Sequence, residues 1–278
     1  MANHQHQHAA DQDWSAMIEL LDLDGEVLHE YLADATSWVR QLSDGHPRDR
    51  IVDLGSGTGT GAIALAQRFE GAEVIAVDAA APVLERLRVK AVDLGLAERV
   101  RTVVADLDAG WPAIDDVDVV WASNSMHHMA DPDRVLADIH DALRPGGLLV
   151  VAEMESFPRF LPDNVGDGLE ARCHATAAEQ TRHELPHLGG DWGAMAAKAG
   201  FTIEAQRTFT VDLTPPLPDA TGRFAQESLR RMRQHLAESL TSDDLATLDA
   251  LIDGPDSVLH RTDLSVRTAR TLWAGRRS

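Results

Sequence analysis

The sequence predicts an α/β fold in which a mostly parallel sheet is covered by helices on both faces. Three observations carry this. A glycine-dense turn, Gly55 to Gly61, joins an apolar strand to an apolar helix within IVDLGSGTGTGAIAL, residues 51–65. Short apolar segments then alternate with helical ones as far as Glu153. Each of these segments ends in a polar residue: Asp78, Asp106, Ser123 or Glu153. Strands alternating with helices imply parallel pairing through crossover connections. In such sheets ligands sit beyond the carboxyl ends of the strands.

Composition bounds the rest. A chain of 278 residues, 44% of them hydrophobic, suits one large domain with additions. No apolar run approaches the roughly 20 residues that a membrane helix needs. Residues 1–13 are polar and lack the apolar segment of a secretory signal. The single cysteine, Cys173, excludes an internal disulfide framework and suits a reducing, cytoplasmic setting. A formal net charge of −20 repels phosphate backbones, although Arg230, Arg231 and Arg233 could form a local basic groove. Neither a nucleic-acid nor a membrane partner is expected.

Four segments follow in order: 1–13, 14–44, 45–153 and 154–278. The first carries His4, His6 and His8 and reads as a disordered tail without assigned function. In 14–44, Met17, Leu20, Leu21, Val27, Leu28, Leu32 and Val39 recur at helical spacing, with Gly25 expected to separate two helices. This pair either packs on the core or forms a lid with Tyr31 or Trp38 facing inward. Within 45–153, Ile51, Val52 and Leu54 form a strand and Ala62 to Phe69 a helix. Glycines between them let the backbone turn sharply and approach a ligand without a Cβ in the way. The N–H groups that start the helix then face polar ligand atoms. Strand, glycine turn and helix together make a nucleotide-binding device.

The second strand, Glu73 to Val77, ends at Asp78, the usual place for an acid that accepts from both ribose hydroxyls. A helix over 81–94 leads to a third strand, 100–105, ending in Asp106 and Leu107. The fourth strand, 117–122, ends in Ser123 and Asn124. A helix from Asp131 to Leu143 is stopped by Arg144-Pro-Gly-Gly, and a fifth strand, 148–152, ends at Glu153. The final segment begins irregularly over 154–190. It continues with a helix over 191–199, a strand over 201–211, helices over 220–240 and 242–252, and a strand over 266–274. Thr241 is placed to cap the last helix.

The pieces VDLGSGTGTG, VIAVDAA, VVADLDAG, VDVVWASNSMHHMADP and LRPGGLLVVAEM, in this order, resemble class I S-adenosylmethionine (SAM) dependent methyltransferases. The resemblance implies a Rossmann-like, doubly wound, seven-stranded sheet with its last strand antiparallel, the cofactor SAM, and the product S-adenosylhomocysteine (SAH). It implies that Gly55, Ser56 and Gly57 lie against the methionine part and that Asp53 holds its amino group. Asp78, with Ala79 beside it, would take the ribose. Asp106 and Leu107 would meet the adenine, and Ser123 would flank the sulfonium. Two alternatives stand beside this reading. Gly57-Thr-Gly59-Thr-Gly61-Ala62 formally fits an NAD(P)-binding oxidoreductase, but counting from Gly55, the first glycine after the strand, puts Thr60 sixth. The other alternative is a SAM-binding interaction module without turnover.

The segment after the fourth strand narrows the acceptor. Ala122 to His128 lacks the Asn/Asp-Pro-Pro-aromatic motif of enzymes acting on nucleobase amines, and no acidic residue follows before Asp131. Metal-independent transfer to an oxygen or nitrogen of a small molecule is therefore expected. Such an acceptor must lose a proton, which makes His127, His128 and Glu153 candidate bases. Tyr31, Asn124, His127 and Phe157 are candidate acceptor contacts, and the helices of 154–278 are expected to cap the cleft. His174, His183 and His187 make a weak metal site, since Pro186 breaks the helical spacing. The acceptor's identity and the oligomeric state, a homodimer included, are not legible.

Overall fold

The computed structural model describes residues 14–278, apart from the His183 side chain. The histidines at 4, 6 and 8 lie outside the described residues. Seven strands form one sheet: β1 (Arg50–Leu54), β2 (Glu73–Asp78), β3 (Val100–Val104), β4 (Val117–Ser123), β5 (Leu143–Met154), β6 (Phe201–Leu213) and β7 (Val266–Arg277). Their spatial order is β3-β2-β1-β4-β5-β7-β6, and β7 alone runs against its neighbours. The strand order reverses between β1 and β4, so the glycine turn after β1 opens at the switch point where such sheets bind ligands.

Among the described residues nine α-helices cover the sheet: α1 (Ser15–Val27), α2 (His29–Leu42), α3 (Thr60–Arg68), α4 (Ala81–Asp93), α5 (Pro132–Ala142), α6 (Leu169–Glu184), α7 (Trp192–Lys198), α8 (Thr221–His235) and α9 (Ser242–Asp253). Alternate residues of each strand feed two separate cores. Ile51, Trp121, Val150 and Leu272 pack with α1, α2, α3, α4, α6, α8 and α9. Val52, Leu54, Val120 and Val151 pack with α5 and α7 on the opposite face. The central strands are largely apolar because neither face meets water, with Asp53 and Asp118 as buried exceptions. Side-chain caps fix three helix starts: Asp131 accepts from Arg134 N (3.1 Å), Asp191 from Ala194 N (3.0 Å) and Thr241 from Asp244 N (3.2 Å).

Strands β6 and β7 run two and three residues past their expected ends, and larger differences from the sequence expectation occur at four places. The N-terminal helices part at Leu28, whereas Gly25 lies inside α1. There a Cβ would come within 2.5 Å of Thr60 Cγ2, so Gly25 permits close approach of α1 to the glycine turn instead of breaking the helix. The stretch expected to be irregular contains α6, whose buried positions Leu169, Cys173, Ala177 and Thr181 are spaced by four. Strand β5 begins at Leu143, so Arg144 to Gly147 is taken into the strand at a register shift against β4. Helix α8 ends at His235, short of residue 240.

Candidate cofactor and active site

The glycine turn is shaped by what surrounds it. Gly55, Gly57 and Gly59 have φ of +62°, +52° and +80°, a region that L side chains rarely adopt. At Gly55 a Cβ would sit 2.3 Å from the Ser125 Cβ, and Ser125 Oγ donates to Leu54 O (2.8 Å). The turn is therefore clamped between β1 and the loop after β4. Asp78 staples it from the other side: its carboxylate accepts from Gly57 N (2.8 Å) and from Ala80 N (2.9 Å). Asp106 lies exposed at the end of β3 and accepts from Asp108 N (2.9 Å), with Leu107 buried beneath it.

Asp53, the penultimate residue of β1, is 2% exposed, and its Oδ2 has no hydrogen-bond partner. Burial, reinforced by the charge of Asp78, pushes its pKa up to about 8 against a hydrogen bond from the Ala62 backbone. A Cβ on Gly61 would lie 2.9 Å from Asp53 Oδ2 and 3.0 Å from Trp121 Nε1, and that indole nitrogen is also unpartnered. These atoms face a cavity of about 140 Å³ between the glycine turn, α1, α2 and the end of β4. Tyr31, Ser56, Ser123, Asn124 and Arg270 line it, and Leu21 and Gly25 of α1 close it. The unpartnered buried atoms Tyr31 Oη, Ser56 Oγ, Thr58 Oγ1 and Asn124 Oδ1 belong to the same lining. Buried polar groups are ordinarily paired, so this concentration marks a place where a ligand completes the bonding. A larger open groove of about 730 Å³ runs between α1–α2 and α3–α4. Its charges are largely self-paired, Asp22 with Arg86 (2.7 Å) and Lys90 (2.9 Å), and it lies away from the strand ends. The smaller cavity, at the strand ends and lined by unpartnered polar atoms, is the candidate site.

Beyond β4 the chain turns through Asn124 (φ +51°) into a 3-10 turn, Met126–His128. Glu153, at the end of β5, holds this turn. Its Oε1 accepts from Met126 N (3.0 Å) and His127 N (3.4 Å), and its Oε2 lies 2.6 Å from His127 Nδ1. Both side chains are buried, at 5% and 2% exposure. Because a carboxylate accepts, Nδ1 carries the imidazole hydrogen and the lone pair sits on Nε2. Both Glu153 oxygens are thus engaged with the turn and with His127. The His128 ring lies 4.1 Å from that of His127 but is exposed. Partial desolvation, then His127 and Arg231, lower its pKa, which leaves that ring neutral at physiological pH.

Of the residues singled out from the sequence, Asp53, Gly55, Ser56, Gly57, Ser123, Asn124 and Tyr31 meet around the cavity. Asp78, Ala79, Asp106 and Leu107 lie along the ends of β2 and β3, outside its lining. His127 and Glu153 are buried outside that lining, and Phe157 is surface-exposed and also outside it. Trp38 packs edge-on against Phe209 in the core and does not face inward. Of the candidate histidine metal site, the His183 side chain lies outside the described residues; among the described residues no group of three His, Cys, Asp or Glu could hold an ion. His174 is buried, and that burial, with Arg159 and Arg267, lowers its pKa to about 4. Burial raises the Cys173 thiol to about 11, consistent with an inert core residue. Sequence reasoning missed Trp121, Ser125, Asp24 and Arg270. The first two lie inside a recognised motif, VDVVWASNSMHHMADP, without having been singled out; the last two carry no local signal.

Residues 51–147 match the family model described as a methyltransferase domain. The chain is 37% identical over 174 residues to a malonyl-acyl-carrier-protein O-methyltransferase of Laribacter hongkongensis, covering 61% of this chain and 56% of that one. It is 40% identical over 142 residues to a demethylmenaquinone methyltransferase of Thermus thermophilus, covering 51% and 58%. It thus spans somewhat more than half the length of these curated relatives. Among solved structures, the (4+2)-cyclase SpnF superposes with a TM-score of 0.52 at 20% identity, covering 88% of this chain and 80% of that one. That likeness concerns the fold alone, and a fold does not carry its chemistry with it.

Proposed function

We propose that this chain, which carries a class I SAM-dependent methyltransferase domain, transfers the methyl group of SAM to an oxygen or nitrogen of a small-molecule acceptor. The observation that carries the reading is the glycine turn at the switch point, stapled by Asp78 and facing the buried, half-satisfied Asp53. The residues present fit the cofactor. Asp78 keeps lone pairs beyond its two backbone bonds, available to ribose hydroxyls. Asp106 and Leu107 continue the bed along β3, where the adenine would lie.

SAM supplies an electrophilic methyl group on a sulfonium, so the protein's share is positioning, exclusion of water and proton removal. The chain's residues divide this work. The glycine turn and α1 enclose the reacting end and exclude solvent. Ser123 and Asn124 leave β4 beside it. His127 Nε2 accepts the acceptor's proton, and Glu153 is the positioning residue that fixes the ring and its tautomer. His128, exposed at the same turn, stands beside the acceptor path. No step in this scheme calls for a metal, and the high negative charge favours a small acceptor over a nucleic acid. The single buried cysteine is in keeping with a cytoplasmic enzyme.

Calorimetry with SAM and SAH should show one site, and NAD should give no heat; the reverse would replace the reading with a dehydrogenase. With tritiated methyl-SAM and a cell extract, label should enter the small-molecule fraction. Label confined to nucleic acid or protein would refute the acceptor class. Turnover of the acceptor so found should be unchanged in excess chelator, and a loss that magnesium restores would contradict the metal-free scheme. Asp78→Ala should weaken SAH binding by about 3 kcal/mol, since hydrogen bonds to a charged group contribute roughly 1.5–3 each. Circular dichroism verifies that the variant is folded, and an unchanged dissociation constant removes Asp78 from the site.

A further inference from the structure

We infer that Arg159 and Arg267, set against each other beyond the end of β5, form with His174 a site for an oxyanion, and that this oxyanion is the acid group of the methyl acceptor. The oxyanion site stands on the geometry; its link to the acceptor rests on the methyl-transfer reading.

The backbone sets the pair. After β5 the chain runs on beside β7: Glu155 N donates to Ala269 O (3.2 Å), and Arg159 and Arg267 exchange N–H···O bonds of 2.9 Å each. Residues paired in this way across antiparallel chains turn their side chains to the same face. Like charges placed so are destabilising. With 45 acidic residues against 25 lysines and arginines, the chain could supply a carboxylate to each. Yet among the described residues the half-buried Arg159 side chain has neither a hydrogen bond nor an ion pair. Arg267 donates to Leu161 O (2.7 Å), with Asp163 at 3.5 Å and Glu170 at 3.8 Å, and its Nε is unpartnered.

Helix α6 adds the third residue. Glu170 docks this helix on the segment that carries Arg159, its carboxylate accepting from Phe160 N (2.7 Å) and Leu161 N (3.0 Å). His174 follows four residues later on the same side of the helix. It is 6% exposed; one ring nitrogen bonds the Pro158 carbonyl, and Nε2 has no partner. Buried polar atoms are ordinarily paired, so the orphan calls for a ligand group. Burial, then Arg159 and Arg267, keep the ring neutral, and Nε2 therefore holds a lone pair for a hydroxyl on or beside that group. Two guanidinium groups next to such an acceptor suit a carboxylate or a phosphate.

The position ties the site to the acceptor. Strand β7 runs against β5, so its first residues lie at the end of the sheet where the glycine turn opens. Thr271 pairs with Glu153, the partner of His127. Arg267 stands four residues before Thr271 on the same face, about 13 Å along the strand. An elongated acceptor with its acid group on the arginines extends from there toward His127.

Two measurements test this. The first needs no acceptor. At fixed ionic strength, inorganic phosphate in place of chloride should raise the melting temperature of the unaltered protein and leave Arg159→Met unmoved. Without phosphate that variant should melt no lower than the parent, since it loses a repulsion. Arg233→Met, which removes an arginine paired with Asp249 on α8, should respond to phosphate as the parent does. A lower melting temperature of Arg159→Met without phosphate, equal phosphate shifts in it and the parent, or no shift in the parent would overturn the site. The second measurement labels the acceptor with tritiated methyl-SAM in a cell extract. The labelled small molecule should be retained by an anion exchanger; retention lost after phosphatase identifies a phosphate ester, and retention kept a carboxylate. With that acceptor purified, Arg159→Met should raise KM by about 10- to 100-fold, the range for a hydrogen bond to a charged group, with kcat and SAH affinity within a few-fold. Arg159→Lys, which keeps the charge, should recover part of the loss. A labelled product that is not retained, or an unchanged KM, would overturn the link to the acceptor and leave the methyl-transfer reading intact. A parent that binds no SAH would bring down that reading and the link together, while the phosphate shifts still decide the oxyanion site.

Discussion

Replacing His127 with alanine is expected to lower turnover by about 10²–10⁴, the usual contribution of a positioned acid or base, and to leave SAH affinity within a few-fold. The expectation comes from the bond between Nδ1 and Glu153, which leaves the Nε2 lone pair as the available acceptor. The substitution also strands Glu153 Oε2 in the interior, at a cost of about 1–3 kcal/mol in stability. A fall in turnover could then reflect unfolding, so a second variant is needed. His127→Asn can keep a donor near the position of Nδ1, restoring the bond to Glu153 without a basic lone pair. It should recover the melting temperature and not the turnover. If it recovers both, His127 holds the turn and does no proton transfer. If His128→Ala carries the loss instead, the exposed histidine is the base.

The difference between what the sequence reveals and what it hides follows from the range of the interactions. The glycine turn, the strand ends at Asp78, Asp106 and Ser123, the helix start at Asp131 and the cap Thr241 are local. Each is written within a few residues and was legible. Gly25 was misread because a glycine inside a helical pattern signals either a break or a close approach, and only the position of Thr60 decides between them. Helix α6 escaped notice because its buried stripe is largely small or polar, with Cys173, Ala177 and Thr181 following Leu169 at intervals of four. His127 and Glu153 were both visible as candidates. Their contact, on which the proposed division into acceptor and orienting group rests, depends on β4 and β5 lying side by side, so that residues 26 apart meet. Arg270 is the extreme case. In Val-Arg-Thr-Ala-Arg-Thr-Leu-Trp-Ala it alternates like any residue of a final strand, and its partners Asp24 and Tyr31 are more than two hundred residues away.

Asp53 leads to the second large expected effect, a stability of the unliganded protein that falls with pH. An unfolded aspartate releases its proton near 3.9, whereas the folded chain retains the Asp53 proton up to about 8. Between these values the folded state binds the additional proton. The stabilising contribution is therefore fully present below about pH 4 and is lost as pH rises through about 8, by up to about 1.4 kcal/mol per unit. With 45 acidic residues in the chain, other groups contribute to any such profile, and the informative quantity is the difference from Asp53→Asn. That variant cannot ionise, so its melting temperature should decline less between pH 5 and pH 8, where retention of the Asp53 proton dominates the difference. Binding inverts the preference. The ammonium group of the cofactor favours the carboxylate, so near pH 7 association of SAH should expel about one proton, and affinity should rise toward pH 8. Calorimetry in buffers of different ionisation heat counts that proton directly. Proton release of the same size from Asp53→Asn, or none from the parent, would show that Asp53 does not meet the ammonium.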